Sequence, residues 1–271
     1  ENNFDNLQIK KNKTNVGFSK AVNYGLKISN GDFICILNPD VIISKNTFSN
    51  LLNYYKKNKN IGCIGPKILN VDGSIQHSCK RSFPTPISAF FRLISLDKLF
   101  PKSKLFGKYN LTFLDINKIH NVDSISGAFM LFSKKIIKKI GFFDERFFMF
   151  GEDIDFCSRI KEEGYEVIYN PNAEIIHYKG ESVKNAPYDM VNIFYSAMDI
   201  FFNKHSDKYK YWKYIGFLVK TGLFLRKMFS HLRLMFSNIF TSLIDSFFIT
   251  ISFSFSIYLW YTFNYNQLVT L

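Results

Sequence analysis

The chain is poor in cysteine, with four in 271 residues. None of them stands in the closely spaced pairs that are typical of structural zinc sites. Cys35 and Cys157 lie within apolar stretches, where a thiol is expected to be buried. We therefore expect free cysteines in a reducing compartment, and neither a disulfide framework nor a cysteine-based metal site.

Acidic residues are also scarce. There are 22 Asp and Glu against 35 Lys and Arg, which gives a formal net charge of +13. Such a charge suits a nucleic acid, an anionic membrane surface or a polyphosphate ligand. The abundance of Lys, Asn, Ile and Phe is also typical of coding bias in an AT-rich genome. No nucleic-acid-binding motif accompanies the charge, so we expect no nucleic-acid partner.

No signal-peptide pattern stands at the start of the sequence, which predicts chemistry in the cytosol. The first residue is Glu1 rather than Met, and we expect the natural start to lie further upstream. The hydrophobic content of 47% is ample for a core. The length fits one large domain or a domain with an appendage.

Three carboxylates follow an aromatic cluster within residues 147–160. The pattern predicts a helix that begins near Glu152, because acids favour the first helical turn. Helical spacing places Asp153 on the apolar face with Phe156, whereas Asp155 falls with Glu152 on another face. An inward carboxylate is costly unless it is used, which suits a general base. The alternative is that these acids only satisfy free backbone N–H groups at the helix start.

A second polar cluster is expected at the carboxyl end of a strand. The apolar run Phe33–Leu37 is typical of a strand covered on both faces, and Asn38, Pro39 and Asp40 follow it. Ligands gather at the carboxyl ends of strands in open α/β sheets, so Asp40 lies where a metal-bound diphosphate is expected. The alternative is a simple polar turn. His177 ends another predicted strand and is either a metal or diphosphate contact or a structural residue.

Hydrophobic periodicity predicts the other elements. The expected helices cover residues 18–29, the region around 48–55, and 134–140. The expected strands are 7–10, 33–37, 61–69, 122–132 and 166–169, followed by a turn at 170–171 and a strand at 173–177. Residues 76–86 form a basic loop containing Arg81, which fits donor or acceptor binding and a solvated loop equally well.

The order of these segments resembles the family 2 inverting glycosyltransferases, in particular the rhamnosyltransferase-like branch that builds bacterial surface polysaccharides. The resemblance covers residues 15–182, and the ordered set is more specific than any one of its pieces. The matching segments are NVGFSKAVNYG at 15–25, LNPD at 37–40, GPK at 65–67, DGSIQ at 72–76, GAFM at 127–130, GFFDE at 141–145, GED at 151–153 and HYKGES at 177–182.

The resemblance implies a GT-A-like α/β fold, that is, a Rossmann-related mixed sheet flanked by helices. It also implies transfer of a sugar, with rhamnose as one candidate, from a nucleotide-diphosphate sugar donor to a polysaccharide or lipid-linked acceptor. Asp153 is implied as the general base, and Asp40 with His177 as ligands of Mg²⁺ or Mn²⁺. The implied donor-binding residues are Asn15, Gly17, Asn23, Asn38, Asp40, Gly127 and Glu152. Asn38 replaces the first aspartate of the commoner Asp-x-Asp form, as is usual in this branch.

The two strands that open the fold of this family and grip the nucleotide base have no counterpart in the sequence. We therefore expect a chain truncated at its amino end, in which 7–10 corresponds to the third strand and forms no direct ladder with 33–37. The rival hypothesis is a catalytically inactive fragment or scaffold protein of a polysaccharide assembly system. A third hypothesis, a basic nucleic-acid-binding protein, is supported by the net charge alone.

The carboxy-terminal part of the sequence has a different character. We expect a glycosyltransferase domain at 1–205 and a helical, membrane-associating extension at 206–271. Residues 247–263 carry no formal charge and are at the short limit for a membrane span, with basic residues before them. This predicts attachment to a membrane surface, the cytoplasmic face of the bacterial inner membrane. The alternative is a helical hairpin packed on the catalytic domain.

Overall fold

The computed structural model describes residues 7–85, 87–88, 91, 96–178, 190–205 and 212–269. The chain divides into two compact units, residues 1–222 and residues 223–271. The boundary predicted between residues 205 and 206 falls earlier, next to residues outside the described part, and stays a prediction.

The helices and strands of the described residues follow the predicted alternation through most of the first unit. In chain order they are α1 (Phe18–Ile28), β1 (Phe33–Leu37), β2 (Val41–Ile43), α2 (Thr47–Lys57), β3 (Ile61–Leu69), α3 (Leu96–Leu99), β4 (His120–Val122), β5 (Phe129–Ser133), α4 (Lys134–Ile140), α5 (Glu152–Glu162), β6 (Glu166–His177), α6 (Met190–His205) and α7 (Trp212–Val269), with a 3-10 turn at His77–Cys79.

The six strands form one mixed sheet in the order β1-β5-β3-β6-β2, with β4 also paired to β6. β3 and β6 are parallel, and the other ladders are antiparallel. Helices α2 and α5 both contact β3 and β6, and the apolar side chains between them are fully buried. This arrangement confirms the predicted α/β class, a mixed sheet flanked by helices. The four cysteines are free, as expected.

Three sequence predictions about strands are wrong. Residues 7–10 have no regular secondary structure and are exposed, although they form no ladder with β1, as expected. The strand predicted at 122–132 is two strands, because residues between β4 and β5 turn away to contact Arg81 and Asp153. The turn predicted at 170–171 lies inside β6, where a register shift against β3 absorbs the proline without ending the strand.

Helix α7 is one continuous helix of 58 residues and not the hairpin considered as an alternative. Residues His231–Thr262 within it are apolar enough and long enough to cross a membrane, and none of the most apolar window is buried. This assignment rests on the length and the composition of the helix.

Candidate active site

The sheet brings the ends of β1 and β6 together. Strand β2 runs antiparallel to the last residues of β6. The N–H group of Tyr178 donates to the carbonyl of Asp40 at 3.0 Å, which extends that ladder by one bond. On the other side, the N–H group of Asn38 donates to the carbonyl of Ala128 at 3.0 Å. Asp40 and His177 therefore become neighbours, as expected for residues at strand ends.

Four side chains form a polar cluster at this edge. Nε2 of His177 lies 3.2 Å from Oδ1 of Asp40 and 3.4 Å from Nδ2 of Asn38. Nδ1 of His177 lies 2.9 Å from Oε1 of Gln76. The side chains of His177 and Gln76 are both buried, so the cluster is shielded from bulk water on the side of β3 and β6.

The hydrogen bonds of Gln76 determine the orientation of the His177 ring. The amide nitrogen of Gln76 donates to Asn70 Oδ1 at 3.0 Å, which leaves its oxygen facing Nδ1 of His177. An amide oxygen only accepts, so Nδ1 carries a proton and donates it. In the neutral ring the lone pair is then on Nε2, and it faces the Asp40 carboxylate.

The same cluster fits a divalent cation. Oδ1 of Asp40 is buried and accepts no hydrogen bond from the described residues, a costly state for a carboxylate oxygen. Nε2 of His177 lies 3.2 Å from that oxygen, so one cation could contact both atoms. No group of three or more His, Cys, Asp or Glu side chains with metal-binding geometry occurs in the described part of the chain. Two protein ligands leave positions for diphosphate oxygens and water, as Mg²⁺ sites commonly do.

A buried ion pair lies at the start of α5. Nη2 of Arg81 donates to Oδ2 of Asp153 at 2.6 Å, and the N–H group of Gly127 donates to the same oxygen at 2.9 Å. The side chains of Arg81 and Asp153 are only 12% and 11% exposed. Burial alone would lower the pKa of Arg81, but the Asp153 carboxylate raises it above the ordinary value. The solvated-loop alternative for Arg81 is therefore wrong.

All three acids of the first turn of α5 are buried, and not Asp153 alone. In the turn before the helix, Phe150 and Gly151 both adopt left-handed backbone conformations, with φ of 69° and 81°. A Cβ atom on Gly151 would lie 3.2 Å from the Phe147 ring. Burial, followed by the charge of Asp153, raises the pKa of Glu152 to about 8.

The two polar clusters belong to one site. Gly127 contacts Asp153, and its neighbour Ala128 pairs with Asn38 at the end of β1. On the other side, Gln76 and Arg81 lie on one short segment that contains the 3-10 turn. Gln76 contacts His177, and Arg81 contacts Asp153.

Comparison with known proteins decides the family. The profile of the family described as "Glycosyltransferase like family 2" matches residues 1–189. The chain belongs to this family. A second profile, "Glycosyl transferase family group 2", matches residues 109–271. Family 2 membership and the observed mixed sheet together bear out the GT-A-like fold.

The relatives include two rhamnosyltransferases and a hexosyltransferase of glycan biosynthesis. The N-acetylglucosaminyl-diphospho-decaprenol L-rhamnosyltransferase of Mycobacterium tuberculosis is 26% identical over 215 residues, which are 75% of this chain and 69% of that protein. The low-salt glycan biosynthesis hexosyltransferase Agl10 of Haloferax volcanii is 28% identical over 228 residues, which are 79% of this chain and 67% of that protein. The rhamnosyltransferase WbbL of Escherichia coli is 28% identical over 150 residues, which are 54% of this chain and 52% of that protein.

Among solved structures, that of GalNAc-T7 with UDP, GalNAc and Mn²⁺ has a TM-score of 0.42 and 16% identity. The match covers 61% of this chain and 31% of that chain. A similarity at this level does not bear on the residues of the site.

The helix of this glycosyltransferase that carries Asp153 is fastened to α6 by Asp155. Oδ1 of Asp155 lies 2.7 Å from Nζ of Lys204 and 3.0 Å from Nε2 of His205, and Oδ2 lies 3.0 Å from Nε of Arg159. Burial would raise the pKa of Asp155, but His205, Arg159 and Lys204 hold it below the ordinary value. Asp155 therefore has a structural role two residues from the proposed base.

The glycine-containing motif before α1 packs against the same turn. Oδ1 of Asn15 accepts the Gly17 N–H at 2.9 Å, and Gly17 has a φ of 83°. A Cβ atom on Gly17 would lie 2.7 Å from the carbonyl oxygen of Phe148, so only glycine fits there. The amide of Asn23 is buried and bonded to the backbone of Phe143 and to Glu145. The donor-binding roles of Asn15, Gly17 and Asn23 stay predictions.

Sequence reasoning missed the contribution of Gln76 and gave Arg81 no partner. Both residues lie in a region read from its prolines and charges as a loop. The 3-10 turn that aims them at His177 and Asp153 has no periodic signal. Residues 179–182 of the HYKGES motif lie outside the described residues.

Proposed function

We propose that this chain is a metal-dependent inverting glycosyltransferase that uses a nucleotide-diphosphate sugar. The proposal is supported above all by one observation. The buried Asp153 carboxylate accepts a hydrogen bond from Gly127, whose neighbour Ala128 pairs with Asn38 in the cluster of Asp40 and His177. A proton acceptor linked in this way to an anion-stabilising cluster is what displacement of a diphosphate requires.

The chemistry begins at the acceptor hydroxyl. Asp153 takes the proton of that hydroxyl as its oxygen bonds to the anomeric carbon of the donor sugar. The bond between this carbon and the diphosphate oxygen breaks on the opposite face, and the nucleoside diphosphate leaves with the electron pair. A single displacement of this kind inverts the anomeric configuration.

Asp40 and His177 are the residues that would hold Mg²⁺ or Mn²⁺. When bound, the cation would neutralise negative charge on the leaving diphosphate. Asn38 lies close enough to orient the His177 ring. Gly127 has no side chain to block the approach of the donor sugar to its backbone, and a Cβ atom there would face Glu152 and Asp153.

The named relatives indicate the substrate class. Their names describe transfer of rhamnose or another hexose, and one names a diphosphate-linked polyprenol acceptor. We infer a hexosyl donor, with L-rhamnose as one candidate, and a lipid-linked or polysaccharide acceptor. The inactive-scaffold alternative is not favoured, because Arg81 and Asp153 form a buried ion pair and His177 lies beside Asp40.

Membrane association is part of the proposal. The exposed apolar side chains of His231–Thr262 would enter a bilayer, and the basic residues before them would remain at its cytoplasmic face. This would bring the site near a lipid-linked acceptor. Flotation with phospholipid vesicles tests it, because Phe247→Asp should weaken flotation while Asp245→Asn should not.

The test of the function is transfer itself. The complete protein is incubated with Mn²⁺, a panel of radiolabelled nucleotide-diphosphate hexoses that includes an L-rhamnose donor, and a polyprenyl diphosphate N-acetylglucosamine acceptor. We expect one donor to give a labelled lipid whose new linkage has the opposite anomeric configuration to the donor. Absence of transfer from every donor, or retention of configuration, would contradict the proposal.

A further inference from the structure

The site contains two adjacent buried acids and one buried guanidinium. Glu152 and Asp153 are both less than a tenth exposed. Arg81 donates to Asp153, whereas Oε2 of Glu152 is buried and has no hydrogen-bond partner among the described residues. Among the described residues, the guanidinium of Arg81 is therefore directed at Asp153 and not at Glu152.

We propose that Arg81 is the positioning residue that makes Asp153, and not Glu152, the proton acceptor of the reaction. It does so by placing its guanidinium on the carboxylate of Asp153 and not on that of Glu152. The inference rests on the proposed function, which it deepens, because it identifies the group that makes the base usable at neutral pH.

The position of Arg81 is set by its backbone. Its N–H donates to the carbonyl of Ser124, and its own carbonyl accepts from the N–H of Ser124, each at 2.9 Å. Nη2 also donates to the carbonyl of Ile125 at 3.1 Å. The residues that hold the guanidinium beside Asp153 therefore lie outside α5. The orientation of the Arg81 side chain does not depend on contacts within that helix.

Electrostatics follow from this geometry. Two like charges in one buried site cannot both form cheaply. Burial raises the pKa of Glu152 to about 8, and the charge of Asp153 adds to this effect. One carboxylate paired with the cationic Arg81, beside a neutral Glu152, gives a cluster without net charge, which is the arrangement that burial favours.

Other titratable groups near the pair do not change this balance. The Cys157 thiol faces Asp153 from the next turn of α5, and burial raises its pKa to about 12, so it is neutral. Tyr109 approaches Arg81 from the segment between α3 and β4. Arg81 therefore supplies the positive charge that offsets Asp153.

The experiment compares the pH dependence of kcat/KM for wild-type protein, Arg81→Met and Arg81→Lys. In Arg81→Met the cation is lost, so we expect the acidic limb to move up by about one pH unit or more. At pH values below the limb, kcat/KM of Arg81→Met should be lower than that of the wild type by about tenfold for each pH unit by which the limb has moved. It should recover at higher pH. Arg81→Lys keeps the charge and should restore the wild-type limb. Arg146→Met, which removes the arginine of an exposed pair with Asp144, is the matched control.

Two results would overturn the inference. A loss in Arg81→Met by the same factor at every pH would show that Arg81 only supports the fold. A higher KM for the donor with an unmoved limb would show that Arg81 binds phosphate instead.

A second variant tests the same idea with Arg81 in place, in case Arg81→Met does not fold. Glu152→Gln replaces a protonated acid by a neutral isostere, so the acidic limb should stay where it is and activity should fall less than in Asp153→Asn. A limb that moves or vanishes in Glu152→Gln would identify Glu152 as the proton acceptor. Wild-type protein without transfer refutes the proposed function, whereas wild-type transfer with an unmoved limb in Arg81→Met refutes this inference alone.

Discussion

Nε2 of His177 lies 3.2 Å from Oδ1 of Asp40, a buried carboxylate oxygen that accepts no hydrogen bond from the described residues. A cation bound here would contact both Nε2 of His177 and Oδ1 of Asp40. We expect Asp40→Ala to weaken Mn²⁺ binding measured by calorimetry in the presence of a nucleoside diphosphate. Asp32→Ala, at an exposed site, is the control. Unchanged Mn²⁺ affinity would show that residues 38–40 form a polar turn without a role in metal binding.

The Gln76 side chain offers a separate test, because it touches His177 without reaching Asp40. Gln76→Leu removes the acceptor of the Nδ1 proton, so the His177 ring loses one of the contacts that orient it. Loss of such a supporting hydrogen bond weakens metal affinity by about 10- to 100-fold. Calorimetric titration with Mn²⁺ measures this. Wild-type affinity in Gln76→Leu would show that the ring is held by its packing alone.

Gly127 gives a prediction about the donor. A Cβ atom at this position would lie 3.5 Å from Cβ of Asp153 and 3.6 Å from Oε1 of Glu152, which are ordinary contacts. Gly127→Ala should therefore fold with wild-type thermal stability but fill space beside the acids. We expect a higher KM for the donor or a lower kcat. Gly73→Ala, in an exposed turn with φ of 80°, is the opposite control: it should lose stability and keep its kinetic constants.

Asp155 has no part in the proposed chemistry, and we expect its loss to act on stability. Asp155→Asn leaves Arg159, Lys204 and His205 short of a buried anion, so unfolding should become easier by about 3–5 kcal/mol at neutral pH. Because the folded-state pKa of Asp155 lies below the ordinary value, its contribution is present above about pH 4. It is lost as the pH falls through the folded-state pKa.

Chemical denaturation at several pH values tests this prediction. The difference between wild type and Asp155→Asn should shrink in acid, whereas Asp32→Asn should behave like wild type throughout. An equal difference at every pH would exclude the ionised carboxylate as the cause.

The sequence predicts elements well where one physical signal dominates. The apolar run of β1, the amphipathic pattern of α1 and the acids at the start of α5 all correspond to observed elements. Neighbouring residues override the signal elsewhere. Pro171 predicts a turn, because proline has no N–H group to donate to a neighbouring strand. Strand β6 nevertheless continues, since a register shift against β3 leaves the proline outside the regular pairing.

The site is predictable to the extent that it depends on strand and helix ends. Asp40, His177 and Asp153 can be proposed from such positions. The pairing of Arg81 with Asp153 cannot be proposed from the sequence. The two residues lie 72 positions apart, in a loop and a helix, and such a contact produces no periodic pattern in the sequence. The burial of Glu152 beside it, and the left-handed turn at Phe150 and Gly151 that precedes it, are likewise not encoded by the spacing of the acids.

The central claim is that Asp153 takes the proton of the acceptor hydroxyl. Asp153→Asn keeps the size of the side chain and removes its basicity, so donor binding should stay close to wild type while turnover falls by about 10²- to 10⁴-fold. Single-turnover transfer measured beside calorimetric donor affinity gives both quantities on one preparation. We expect that large loss of turnover with a donor affinity near that of wild type. Turnover above about a tenth of wild type would contradict the account, because a general base contributes more than that to the rate.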